Sequence, residues 1–261
     1  LLELPLSLVA VSLGTALLPT LSKMWAEGAR EKLLETSQYY LRLNLFVCLP
    51  AAVGLFSLAY PIVEVLFRRG KFSEEDGMAT ALVVSIYAFI LITSSSVRVL
   101  VPIYYAMKNT KWPAMVGLIS LATHVIVAPI LMKQWGLGGL VFSSFVSLAV
   151  NFICLALPIN KQVGVFGWIK LSRSVAKNLV AASSMGVVVY FLNQGLRPYL
   201  GIGEMGRLVN LIITLLVGLG FFIFMAHLMK SEEMEVTYRT VSDKIKKKFK
   251  NIQNEQDSNH K

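Results

Sequence analysis

An all-α integral membrane protein, a bundle of about seven transmembrane helices, is predicted by three observations. The 261 residues are 55% hydrophobic and only 15% charged, with a mean hydropathy of +0.63, whereas soluble domains carry about a quarter charged residues. The apolar residues run in stretches of about twenty, the length that crosses ~30 Å of hydrocarbon as a helix. The charges stand between these stretches and after the last one.

Seven stretches meet the length requirement: about 3–22, 43–65, 77–107, 112–132, 134–160, 175–196 and 208–229. In the first, Glu3, Ser7, Ala10 and Gly14 share a helix face whose small residues suit close packing, with an acid at the apolar edge. Pro19 and Pro50 interrupt the first two spans, so neighbouring helices must satisfy the backbone there. Residues 27–42 read as a charged helical lead-in to the second span, and Gly70 as the turn that follows it. Ser73, followed by Glu74 and Glu75, is the expected N-cap of the third span.

That third span holds Arg98 inside an apolar run. A charge at the centre of a membrane helix costs roughly 2.5–3.5 kcal/mol on insertion scales, so it is expected to face a bundle interior or a wet cavity. Tyr87, Ser94, Ser95 and Tyr105 fall near its face, at helical spacings that make a polar stripe. Pro102, four residues on, removes the helical partner of the Arg98 carbonyl, so a kink and a spare acceptor are expected.

Polar residues recur further along. Ser144, Ser147 and Asn151 share a face of the fifth span, and Asn210, Thr214 and Gly218 a face of the seventh. Such a stripe either lines a polar path or groove, or joins helices. Joining is the commoner use, at about 0.6 kcal/mol per polar contact. His124, alone in the fourth span, reads as a packing residue, and Cys48 and Cys154, without metal or redox spacing, as small buried hydrophobes.

Lysine and arginine bias sets the orientation. With the first span running inward, eighteen basic residues fall on the inner side and six on the outer. The C-terminus is then cytoplasmic. The net charge of +10 sits at span ends and in the tail, which argues against nucleic acid as a partner. From Met234 to Ile252 the tail carries apolar residues at helical spacing among lysines, a pattern suited to anionic phospholipid, and 251–261 are expected to be disordered. The start at Leu1-Leu2-Glu3-Leu4-Pro5 has no signal-peptide n-region and reads as a point partway into something larger. Paired carboxylates, HExxH, GxSxG and phosphate-loop patterns are missing from the spans. A non-enzyme is therefore expected, with no catalytic residue, no metal site and no cofactor, and passage of an anionic solute suits the scattered charges better than bond-making.

Several pieces together resemble one family. Leu13-Gly14-Thr15-Ala16-Leu17-Leu18-Pro19-Thr20-Leu21-Ser22-Lys23, Leu41-Arg42-Leu43, Leu49-Pro50, Gly70-Lys71-Phe72, Arg98-Val99-Leu100, Tyr105 and Asn109-Thr110-Lys111-Trp112-Pro113 resemble, in this order, the MurJ/MviN lipid II flippases of the multidrug and polysaccharide exporter superfamily. The resemblance implies a fourteen-span transporter of which this chain is the second half: 1–160 as five spans of the C-terminal lobe, 161–229 as two additional spans, and 230–261 as the basic tail. It implies a bacterial inner-membrane protein that carries an undecaprenyl-pyrophosphate-linked peptidoglycan precursor from the inner to the outer leaflet by alternating access. Its partners would be lipid II, anionic phospholipid and the missing N-terminal lobe, and its drive the membrane potential or a coupling ion. Glu3, Ser94, Ser95, Arg98 and Tyr105 become the expected substrate-cavity residues, and Asn151, Asn210 and Thr214 the expected lipid-groove or polar-stripe residues. The competing readings are a polysaccharide or multidrug exporter of the same superfamily, and a non-transporting scaffold in which Arg98 pairs with a carbonyl.

Overall fold

A computed structural model describes residues 12–68, 70, 72–200, 203–231 and 233–234. Glu3, most of the first predicted span and the tail beyond Met234 lie outside them. The described residues form α1 (Ser12–Ala26), α2 (Arg30–Ser57), α3 (Ala59–Phe67), α4 (Glu74–Ala106), α5 (Lys111–Gln162), α6 (Trp168–Leu200) and α7 (Glu204–Leu228), with no strand among them. Five of these are long and apolar enough to cross a membrane. In each, only 28–39% of the most apolar window is buried within the chain, so most of its oily surface is left to face lipid or a partner.

Two boundaries depart from the sequence reading. The charged lead-in is continuous with the second span, because its heptad-like Leu33, Leu34, Ser37 and Leu41 are buried against the bundle. That span then breaks at Leu58, which separates α2 from α3. The fourth and fifth spans follow one another directly within Lys111–Gln162, 52 residues that as one straight helix would measure about 78 Å, far beyond a bilayer. Gly136, with φ 57° and ψ −135°, turns the chain there, a conformation open to glycine alone. The two halves run antiparallel: Ser120 Oγ donates to the Ser147 carbonyl (2.9 Å) and His124 Nδ1 lies 3.2 Å from Ser143 Oγ, a step of four on each half. They remain two spans joined by a tight turn.

The start of α4 follows the sequence closely. Ser73 Oγ accepts from the Asp76 amide at 3.1 Å while the Ser73 amide donates to Asp76 Oδ2 at 3.0 Å. This is a reciprocal capping box, preceded by Gly70 at φ 61°. Downstream the helix continues through Pro102 to Ala106.

Helices α2 and α4 occupy the centre. α4 packs chiefly on α2 and α5, and α6 bridges α2 to α7. Leu41, Leu91, Leu100, Ile103, Tyr104, Leu155 and Ile159 are all but fully buried where these helices meet. The Tyr104 hydroxyl donates to the Leu155 carbonyl and Trp112 Nε1 to the Cys154 carbonyl (3.2 Å), pinning α5 across α4.

Candidate functional site

α4 carries two different surfaces. In its C-terminal half, Arg98 and Ser94 are half-buried and Tyr105 is exposed. Arg98 makes neither an ion pair nor a hydrogen bond with a described residue, so no described carboxylate neutralises its guanidinium. Ser95 does not share that open side. It is fully buried, accepts from Asn44 Nδ2 of α2 at 3.1 Å and donates to the Ile92 carbonyl at 3.0 Å. Cys48 Sγ in turn approaches Asn44 Oδ1 at 3.7 Å. The expected stripe therefore divides into an accessible part around Arg98 and a polar knot that fastens α4 to α2. Asn44 was overlooked in the sequence, although a lone amide within LRLNLFVCLP is the same kind of signal as Arg98.

On the adjoining flank of α4, Ala88, Phe89 and Ile92 form one wall of a groove of about 540 Å³. α2 supplies Phe56, and α6 supplies a run of side chains from Leu179 to Phe191, a length of roughly 18 Å along the helix. The lining is almost wholly apolar. Its floor requires glycine: a Cβ on Gly186 would stand 2.5 Å from Val53 Cγ1 and 2.8 Å from Ser57 Oγ, so α6 meets α2 closer than any side chain permits. Gly218 plays the same part between α7 and α6, where a Cβ would lie 2.5 Å from Val189 Cγ2.

The remaining expected positions fall elsewhere. Asn210 and Thr214 are buried between α6 and α7, with Asn210 Nδ2 donating to the Asn193 carbonyl (3.0 Å) and Thr214 Oγ1 to Asn210 Oδ1 (3.2 Å). The first contact joins α7 to α6, and the second, within α7, holds the Asn210 amide in place. Asn151 is half-buried on α5, away from the residues lining the groove. His124 rests on Ser143, and no group of three or more metal-ligating side chains occurs among the described residues.

Two carboxylates that sequence reading passed over organise the ends of the bundle. Glu233, just after α7, is almost fully buried. It accepts from Ser174 Oγ and Ser231 Oγ at 2.7 Å each and lies 3.6 Å from Arg42 Nε. Burial works against its charge, but the hydrogen bonds from Ser231 and Ser174 prevail and hold the carboxyl below its ordinary value. At the opposite end Glu64, also buried, gathers Arg68, Arg197 and Arg207 from three helix termini.

Comparison with known proteins gives the family of the chain. A family model described as lipid II flippase MurJ matches residues 1–230. The chain belongs to the MurJ lipid II flippase family. A probable lipid II flippase MurJ of Bdellovibrio bacteriovorus is 41% identical over 238 residues, covering 90% of this chain and 44% of that protein. Its counterpart from Thermotoga maritima is 28% identical, with 91% and 46% covered. A solved structure of lipid II flippase MurJ in an inward closed conformation superposes with a TM-score of 0.65 at 24% identity, over 86% of this chain and 45% of the other, and supports the fold. The chain thus spans a little under half the length of the relatives it matches. A multi-pass helical membrane protein of this family is the reading the fold and the comparisons share.

Proposed function

We propose that this chain is the C-terminal half of a transporter that moves lipid II, an undecaprenyl-pyrophosphate-linked peptidoglycan precursor, from the inner to the outer leaflet by alternating access. The observation that carries the reading is the sharing of one helix between two unlike surfaces. Ile92 of α4 lines the apolar groove, and Arg98 lies six residues further along, about 9 Å by helical rise. A guanidinium binds phosphate oxygens in a forked, charge-assisted geometry, strongest where water is scarce. An isoprenoid tail needs only an oily trough. Arg98 is turned about 120° around α4 from Ile92, so an anionic head and a long tail are held on two sides of one helix.

In this reading the N-terminal lobe supplies the opposite wall of the cavity, the spans at 161–229 add the groove to the five-span lobe at 1–160, and the basic tail rests on anionic phospholipid. The protein resides in the bacterial inner membrane with its C-terminus in the cytoplasm, where most of the lysines and arginines lie. It performs no bond chemistry, and the membrane potential or a coupling ion supplies the drive. The test is lipid II binding by the full-length protein, followed by native mass spectrometry in detergent, for wild type and Arg98→Gln. A charge-assisted hydrogen bond contributes about 1.5–3 kcal/mol, so the variant is expected to bind roughly 10- to 150-fold more weakly while remaining folded. Unchanged affinity, with unchanged rescue of cells depleted of their own flippase, would remove Arg98 from the substrate path.

A further inference from the structure

The structure assigns a second anion site to the end of the bundle where Glu64 sits, and the chemistry of that site fits the phosphate of a lipid headgroup. Glu64 is 7% exposed near the end of α3. Arg68 Nη1 lies 2.5 Å from its Oε1, Arg197 Nη2 lies 2.8 Å from its Oε2, and Arg207 Nε lies 3.7 Å from Oε1. One carboxylate thus faces three guanidiniums. A carboxylate offers about four lone-pair positions, while three guanidiniums present fifteen N–H donors. Most of the donors are left for another acceptor.

Arg207 shows the imbalance best. Its side chain is only 18% exposed, and among the described residues it meets Glu64 alone, beyond hydrogen-bond distance. It also stands in the first turn of α7, where the helix macrodipole repels a cation. The N-terminus of that helix has no side-chain cap. Burial, dipole and partner count all disfavour a lone arginine here, and an anion would reverse each of them.

Arg68 and Arg207 open onto a cavity of about 200 Å³ shared with Glu64 and Glu204. That is smaller than the roughly 300–1,000 Å³ of sites that enclose a whole small molecule, and it suits a single ionic group. Around it stand apolar side chains open to the outside: Leu66 at 46% exposure, Phe67 at 47%, Met205 at 72% and Leu208 at 40%. A free phosphate has no use for such a rim. A phosphate carrying acyl chains does, since the chains continue down the oily flank of α3 and α7. The site lies at the opposite end of α6 from Ser174 and Glu233, so it serves the leaflet on that side.

The experiment uses the whole chain in neutral detergent. Its thermal unfolding is followed during titration with phosphatidylglycerol, with phosphatidylcholine, and with inorganic phosphate. Wild type is expected to gain several degrees with phosphatidylglycerol and much less with phosphatidylcholine, whose choline cancels the charge. A gain with inorganic phosphate equal to that with phosphatidylglycerol would overturn the lipid assignment and leave a free-anion site. The Arg68→Gln, Arg207→Gln double variant is expected to lose most of the phosphatidylglycerol gain, while a variant with Lys244, Lys246, Lys247, Lys248 and Lys250 all changed to Gln keeps it. Glu64→Gln covers the case in which the double variant does not fold. It frees all three arginines, so it is expected to be less stable without lipid yet to gain more from phosphatidylglycerol than wild type. A purely structural clamp predicts the opposite for Glu64→Gln, a loss that lipid does not restore, and that result would refute the site.

Discussion

Gly186→Ala measures how closely α6 must approach α2 to form the floor of the groove. In the middle of an exposed helix, Gly→Ala stabilises by about 0.8–1 kcal/mol through backbone entropy alone. At position 186 the added Cβ would stand 2.8 Å from Ser57 Oγ and 2.5 Å from Val53 Cγ1, the latter about 1–1.5 Å inside the contact distance of about 3.5–4.0 Å for carbon atoms. Val53 cannot simply turn away, because a β-branched residue in a helix has one strongly preferred rotamer. The helices must separate instead, at a cost of about 1–3 kcal/mol for overpacking. Gly220 on α7 is the control, since nothing lies within 4 Å of its Cβ position and it faces outward. The assay is reversible unfolding in mixed detergent micelles, read by helical circular dichroism. Gly220→Ala is expected to be neutral to stabilising, and Gly186→Ala to fall about 1–3 kcal/mol below it. Equal shifts for the two variants would refute the close approach and, with it, the shape of the groove.

Other expectations follow from the same structure. Gly139→Ala should disrupt the α5 hairpin more severely than any side-chain contact can relieve, because its Cβ would fall 2.0 Å from the backbone oxygen of Leu131. A loss above ~3 kcal/mol, or failure to insert the two spans, is the expected result in the same unfolding assay. For Glu233 the lowered carboxyl pKa fixes the sign of the pH dependence. Its contribution is fully present above the ordinary glutamate value of about 4.3 and declines as pH falls through the lower folded value. Limited proteolysis at Lys230 should therefore accelerate in acid for wild type and be less pH-dependent in Glu233→Gln. Asn44→Ala removes the donor to Ser95 Oγ, which keeps its bond to the Ile92 carbonyl, and removes the Cys48 contact, so a loss of about 0.6–2 kcal/mol is expected.

Composition and run length alone determined that the chain is a helical membrane protein with its spans near 77–107, 112–132, 134–160, 175–196 and 208–229. The reason is that lipid demands long apolar stretches whose backbone bonds are satisfied within the helix. The Ser73 cap and the Gly70 turn were equally legible, since each depends on residues within a few positions of one another. Periodicity could place Ser94, Ser95, Arg98 and Tyr105 on one broad face, but it could not say which neighbour lay against each part of that face. Only packing put Ser95 against Asn44 and left Arg98 without a described carboxylate. The same limit explains Glu64, whose three arginines come from positions 68, 197 and 207 and meet only when α3, α6 and α7 are brought together. Sequence order records what a helix carries. Which carboxylate a cation finds, and which flank remains an open groove, is set by close contacts at glycines such as Gly186 and Gly218, whose consequences appear only when the helices touch.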